Sequence, residues 1–179
     1  MQEYFVANMR QVRYGLLLVL ITLLYGFGLG GVFGLFEDDI KGHLKTKAGQ
    51  VLSTTYNGDA SQLKKVTDKS WTYFKRAHVH AIGLGTASLG LIFFVLFLGI
   101  DRRLKSITAL CLGLGSLGYS FFWMLAGLVA PGMGSTGLAK ESLKWLAVPS
   151  TGLCIIALVM VVGSVIMSLF IQGKDQSNQ

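Results

Sequence analysis

Four long stretches of the chain carry no charged side chain. No Asp, Glu, Lys or Arg occurs at 14–36, 77–100, 106–139 or 145–173. A helix needs about 20 apolar residues to cross the roughly 30 Å hydrocarbon core of a bilayer, and each stretch is that long. The runs at 15–24 and 91–98 are apolar without alternation, whereas barrel strands alternate apolar and polar positions. Backbone in lipid must satisfy its own hydrogen bonds, so the pattern predicts helices. The expected fold is all-α: an integral membrane, multi-pass four-transmembrane-helix bundle. Its spans lie near 14–36, 77–100, 107–130 and 149–171, in a single membrane domain over 1–179. The polar segment 37–76 between the first two spans is expected to be a partly helical extramembrane cap.

Within that cap, Asn57-Gly58 is a turn signal, because Asn and Gly tolerate positive φ. Asp59 with Gln62 fits a capping box at a helix start. Leu63, Val66, Ser70 and Phe74 then recur at helical spacing, which predicts one long helix over 60–100. The segment 38–50 has its own apolar positions at Ile40, Leu44 and Val51, and reads equally as a short amphipathic helix or a solvated connector. Pro131 is expected to stop the third span, and Pro149 to sit in the first turn of the fourth. Trp71, Tyr73 and Trp145 fall at one expected membrane surface, as an aromatic belt would.

Composition strengthens this picture. Hydrophobic residues make up 52% and charged residues 14% of 179. Soluble domains average about 25% charged, and a chain this small could not bury so much apolar surface in water. The first thirteen residues include Glu3, Arg10 and Arg13, ahead of a stretch of full spanning length. That is not the pattern of a cleavable signal peptide. The net charge of +7 reads as topological and lipid-facing; no basic stripe with interleaved aromatics points to nucleic acid. The termini side carries 6 Lys/Arg and the opposite side 10. The tightest cluster, Arg102-Arg103-Leu104-Lys105, lies in a very short connection, where the positive-inside rule acts best. Both termini are therefore expected in the cytoplasm.

Small residues at four-residue spacing let helices approach closely. Gly26, Gly30 and Gly34 form such a ridge in the first span, Ala77, Ala81 and Gly85 in the second, and Cys111, Gly115 and Gly118 in the third. They read as packing within the bundle, or, for the first ridge, as a homo-oligomer contact. Cys111 and Cys154 sit near the starts of antiparallel spans, a depth separation of about 15 Å, so no disulfide is expected.

Candidate chemistry is confined to Lys75-Arg76-Ala77-His78-Val79-His80. Histidine at the edge of a membrane helix is a functional candidate. His78 and His80 are about 200° apart on a helix. His78 shares the small-residue face of Ala81, Gly85 and Ser88, so it is the preferred ligand. It offers an axial ligand for a haem b, or a hydrogen-bond partner for a quinone walled by Tyr119, Phe122 and Trp123. A metal held by His78 and His43 with a third donor is a further possibility, and Met133 is an alternative second haem ligand. Arg76 suits a haem propionate or a lipid phosphate. Equally, both histidines read as interfacial polar residues bonded within the bundle.

The helix start Ala77-His78-Val79-His80, with Gly83 shortly after, resembles small membrane relatives of the haem–copper oxidase large subunit. The resemblance implies that His78 and His80 lie in a bundle and bind haem. It covers fewer than ten residues, and the further membrane histidines of such a metal centre are missing. No Walker loop, His-Glu-x-x-His or Gly-x-Ser-x-Gly is present, and no acid–base pair points to a stand-alone enzyme. The expected function is a small subunit of a larger membrane complex, docking other subunits through the cap and holding a haem or quinone near His78. The alternatives are a cofactor-free structural or assembly protein and a small oligomeric channel.

Overall fold

The computed structural model describes residues 2–168 and is helical throughout, with five helices among the described residues. These are α1 (Gln2–Gly49), α2 (Ala60–Phe97), α3 (Arg102–Met133), the short α4 (Thr136–Ser142) and α5 (Lys144–Ile166). Four of them are long and apolar enough to cross a membrane, by length and composition. Residues 169–171 of the expected fourth span, and Lys174, lie outside the described residues.

Helix α1 continues past its apolar stretch into the cap. Its one non-helical residue is Phe36 (φ −128°, ψ 25°), where the apolar run meets Glu37-Asp38-Asp39. No proline causes this kink; Gly34, a poor helix former with open space around it, lies two residues earlier. The segment 38–50 is thus a helix, not a connector. A turn through Asn57 (φ 50°) and Gly58 (φ 79°) leads to α2, whose N-cap Asp59 accepts from the backbone N–H of Ser61 and Gln62 at 2.8 and 2.9 Å. Only half of the expected capping box forms. The Gln62 side chain donates to Gly134 O at 3.1 Å instead, tying α2 to the end of α3.

Two expectations about proline are corrected. Pro131 does not end α3, which runs on to Met133 and closes at Gly134 in the left-handed region (φ 62°). A proline so near the end removes only its own N–H bond to the Gly127 carbonyl. Pro149 is inside α5 rather than in its first turn. The helix starts earlier because Leu143 O already accepts from Leu146 and Ala147, passing the chain directly from α4 to α5.

Helices α1, α2 and α3 pack mutually, and α5 lies along α3 and touches α4. Half of the most apolar stretch of α3 is buried within the chain, against 17% for α5. The bundle is therefore three mutually packed helices with a fourth on the flank. Helices α1 and α3 approach most closely at Gly15, where a Cβ would collide with the Ala109 backbone, and a Cβ on Gly113 would lie 2.9 Å from Gly15 O. Gly115 and Gly118 seat Cys154 and Ser150 of α5. The cap has a small core of its own, with Ala48, Tyr56, Val66, Ala130 and Ala139 buried together. Tyr56 donates to Pro131 O at 2.8 Å, and burial pushes its phenol pKa upward.

The aromatic belt is not as expected. Tyr73 is 1% and Trp71 9% exposed, because they pack inward on Trp123 and on Phe33 and Phe74. Of the three, Trp145 alone faces outward. The cysteines are both free, but the expected depth separation is too large. Cys154 abuts Gly115, one turn of about 6 Å from Cys111 on the same helix face.

Candidate functional site

Helix α2 carries the candidate residues across the boundary between cap and apolar core. Its face toward α1 is set by Ala77, Ala81 and Gly85, all buried. Gly26 of α1 packs on Ala81 and Ile82, and Gly85 receives Leu23 and Thr22. This lets the two backbones approach closely enough for a side chain of α2 to reach the backbone of α1.

That side chain is His78. Its Nδ1 lies 2.8 Å from Gly26 O. A carbonyl only accepts, so Nδ1 carries a proton and donates. The ring covers Gly30, where a Cβ would sit 2.9 Å from His78 Cε1. Phe33 closes the outer side edge-on, with ring centroids 6.3 Å apart. The recess that the first-span glycines create thus holds the imidazole itself. Gly34, expected on the same ridge, meets nothing within 4 Å. Gly26 and Gly30 thus make contacts inside the chain, with Ala81, Ile82 and His78.

His80 points to the opposite side, against α3. Its ring lies 5.1 Å from Tyr119 and 6.0 Å from Trp123. Arg76, one turn earlier, places its guanidinium 4.7 Å over Trp123 and 5.6 Å over Tyr73. Such cation–π contacts favour an arginine. The aromatic walls expected around His78 therefore gather about His80 and Arg76 instead. Trp123 is buried, and its indole N–H has no hydrogen-bond partner among the described residues.

The other expected donors are not brought to His78. His43 is exposed and stands 13 residues beyond Gly30 on α1, about 20 Å along the helix. Met133 is in the cap, where Ser142 Oγ meets its sulfur at 4.0 Å. Gly127 of α3 packs on Phe74 and Ser70, and Met133 lies about 9 Å further out. Among the described residues no group of three His, Cys, Asp or Glu side chains could hold a metal.

Lys105 was not foreseen as a structural residue. It is 7% exposed and donates to Leu96 O at 3.0 Å, capping the carbonyl end of α2 where a cation is favoured. Its position in the basic cluster read only as a topology signal. Its spacing after a helix end was the one clue to a capping role. Gly15 and Gly127 were missed because each stands alone, without the four-residue repeat that marks a ridge.

No family model, curated protein or solved structure matches the chain, so the site rests on its own geometry.

Proposed function

We propose that the chain is a multi-pass membrane protein, with both termini in the cytoplasm, serving as a non-catalytic structural subunit or assembly factor of a larger membrane complex. One observation carries this choice over a redox subunit. The imidazole of His78 fills the Gly26–Gly30 recess and is bonded to Gly26 O, so the feature that promised a ring-shaped cofactor serves as a clamp between α1 and α2. The cap is the docking face. Its helices are tied to α3 by Tyr56 and Gln62, and a stiff surface loses little entropy on binding. The flanking α5 buries little of its apolar stretch in this chain, which leaves it for lipid or a neighbouring subunit.

The test is purification from the native membrane in mild detergent, with identification of what co-purifies. A fixed set of membrane partners, lost when the cap surface is altered, is the expected result. A chain that purifies alone, and leaves the membrane under alkaline carbonate, contradicts the reading.

A second reading keeps one observation in its favour. With Nδ1–H held by a carbonyl, His78 has the tautomer typical of a metal-ligating histidine, whose other nitrogen is free to bind. A haem or quinone at Nε2, reached from the lipid side, would make the chain an electron-transfer subunit. Oxidised and dithionite-reduced spectra separate the haem form of this reading from the first, and solvent extraction tests for quinone.

A further inference from the structure

A cleft opens between the two helices of the cap, just outside the apolar stretch of α2. It has a volume of about 340 Å³ and is lined by Lys41 and Lys45 from α1 and by Thr67, Asp68, Trp71, Thr72 and Lys75 from α2. That volume is at the lower end of small-ligand sites. Lys41 and Lys45 are one turn apart and share a face, as do Asp68, Trp71 and Lys75 at helical spacing. Three lysine side chains from two helices therefore line one hollow.

Their charge is only partly met. Glu37 pairs with Lys41, whose ammonium also lies 5.4 Å over the Trp71 ring. Asp68 lines the cleft and faces Lys41, while also pairing with Lys64 outside it at 2.7 Å. Asp38 is the remaining acid beside Lys41. Lys45 and Lys75 form no ion pair among the described residues. The threonines offer little, since Thr67 and Thr72 hydroxyls already bond backbone carbonyls of their own helix. A ligand here would be read by charge, with the indole of Trp71 as wall.

From this we infer that the cleft binds the phosphate of an anionic phospholipid headgroup between Lys45 and Lys75. The inference rests on the membrane reading above. Lys75 is two residues before the expected start of the second span, and the cleft extends outward to Asp68, about 10 Å along α2. The headgroup layer is roughly 5–7 Å deep, so the inner end of the cleft opens into it. Lysines beside the bilayer attract anionic headgroups by charge, and with both termini in the cytoplasm this cleft faces the leaflet on the other side. The same two lysines suit a free phosphate ion, and the experiment separates the two sources.

The test follows the thermal unfolding midpoint of the full chain in neutral detergent at low salt. The probes are dioctanoyl phosphatidic acid, dioctanoyl phosphatidylcholine and inorganic phosphate. The expected result is a rise in Tm with phosphatidic acid alone. In K45Q/K75Q the same rise should need about thirtyfold more lipid, from the loss of two near-surface cations. K140Q/K144Q removes the same charge from α4 and α5, away from the cleft, and should respond as wild type. If inorganic phosphate alone reproduces the rise and K45Q/K75Q loses it, the ligand is free phosphate and the lipid assignment is overturned. If phosphatidylcholine acts equally, or K45Q/K75Q responds as wild type, the site itself is overturned. Carbonate extraction separately tests membrane insertion, so its failure is not confused with failure of the cleft.

Discussion

Two polar contacts, one half-buried and one buried, connect elements that the apolar surface alone would leave free to slide. His78 joins α2 to Gly26 on α1, and Lys105 of α3 closes the end of α2 at Leu96. Replacing Gly30 by Val drives a branched side chain into the imidazole. It is expected to cost about 1–3 kcal/mol, the usual scale of overpacking, read as a lower midpoint of unfolding in detergent. His78→Ala removes the donor and leaves a gap. The loss is expected at about 1–3 kcal/mol, with part recovered by His78→Asn if its amide reaches the carbonyl. Lys105→Met should cost about 1.5–3 kcal/mol, the scale of a hydrogen bond to a charged group. Arg102→Gln, at an exposed position in the same cluster, should change stability by less than about 0.5 kcal/mol. Equal effects at the two sites would show that Lys105 acts only as a topology charge. The histidine pair was legible in the sequence, but its roles were not. Helical spacing separates His78 from His80, yet only the register of α2 against α3 assigns Tyr119 and Trp123 to His80.

At the scale of elements, the cap depends on how helices begin and end. Asp59 capped α2 as its sequence implied, since that signal is local. Gln62 departed from the capping box because the Asp59 N–H that its side-chain oxygen would receive is already donated to Tyr56 O at 2.8 Å, and its amide N–H donates to Gly134 O, distant in sequence. The prolines were misjudged for the same reason. Proline only removes one donor, and whether a helix survives that depends on what packs around it. Tyr56 makes the cap sensitive to alkali. Burial raises its pKa in the folded state, so the neutral phenol is the form that the fold stabilises. The contribution is fully present below the unfolded value of about 10 and is lost as pH rises through the higher folded value. Tyr56→Phe should lower stability by about 1 kcal/mol near neutrality and abolish that alkaline loss. Proteolysis of the cap between pH 9 and 12 in both proteins checks it.

For the whole molecule, the charge-free stretches indicated the four long helices, because the physics of a bilayer is written in composition over 20 residues at a time. They did not indicate which helix is central. Glycine ridges on three helices read as packing within the bundle, and the structure packs α3 against α1, α2 and α5. Ridge residues report that something comes close, not which helix it is. The topology proposed here gives a direct check. A single cysteine at Lys140, in a cysteine-free background, should be labelled by an impermeant maleimide from outside intact cells. One at Arg103 should be labelled only after permeabilisation. The reverse pattern would invert the molecule.

As a clamp between two helices, His78 is expected to hold no cofactor. The visible spectrum of the native-membrane protein, oxidised and then dithionite-reduced, for wild type and His78→Ala, is the direct test. Flat spectra are expected for both, with a lower unfolding midpoint in the variant. A Soret band with sharp reduced bands in wild type, absent from the variant, would contradict that expectation and make the chain a haem subunit.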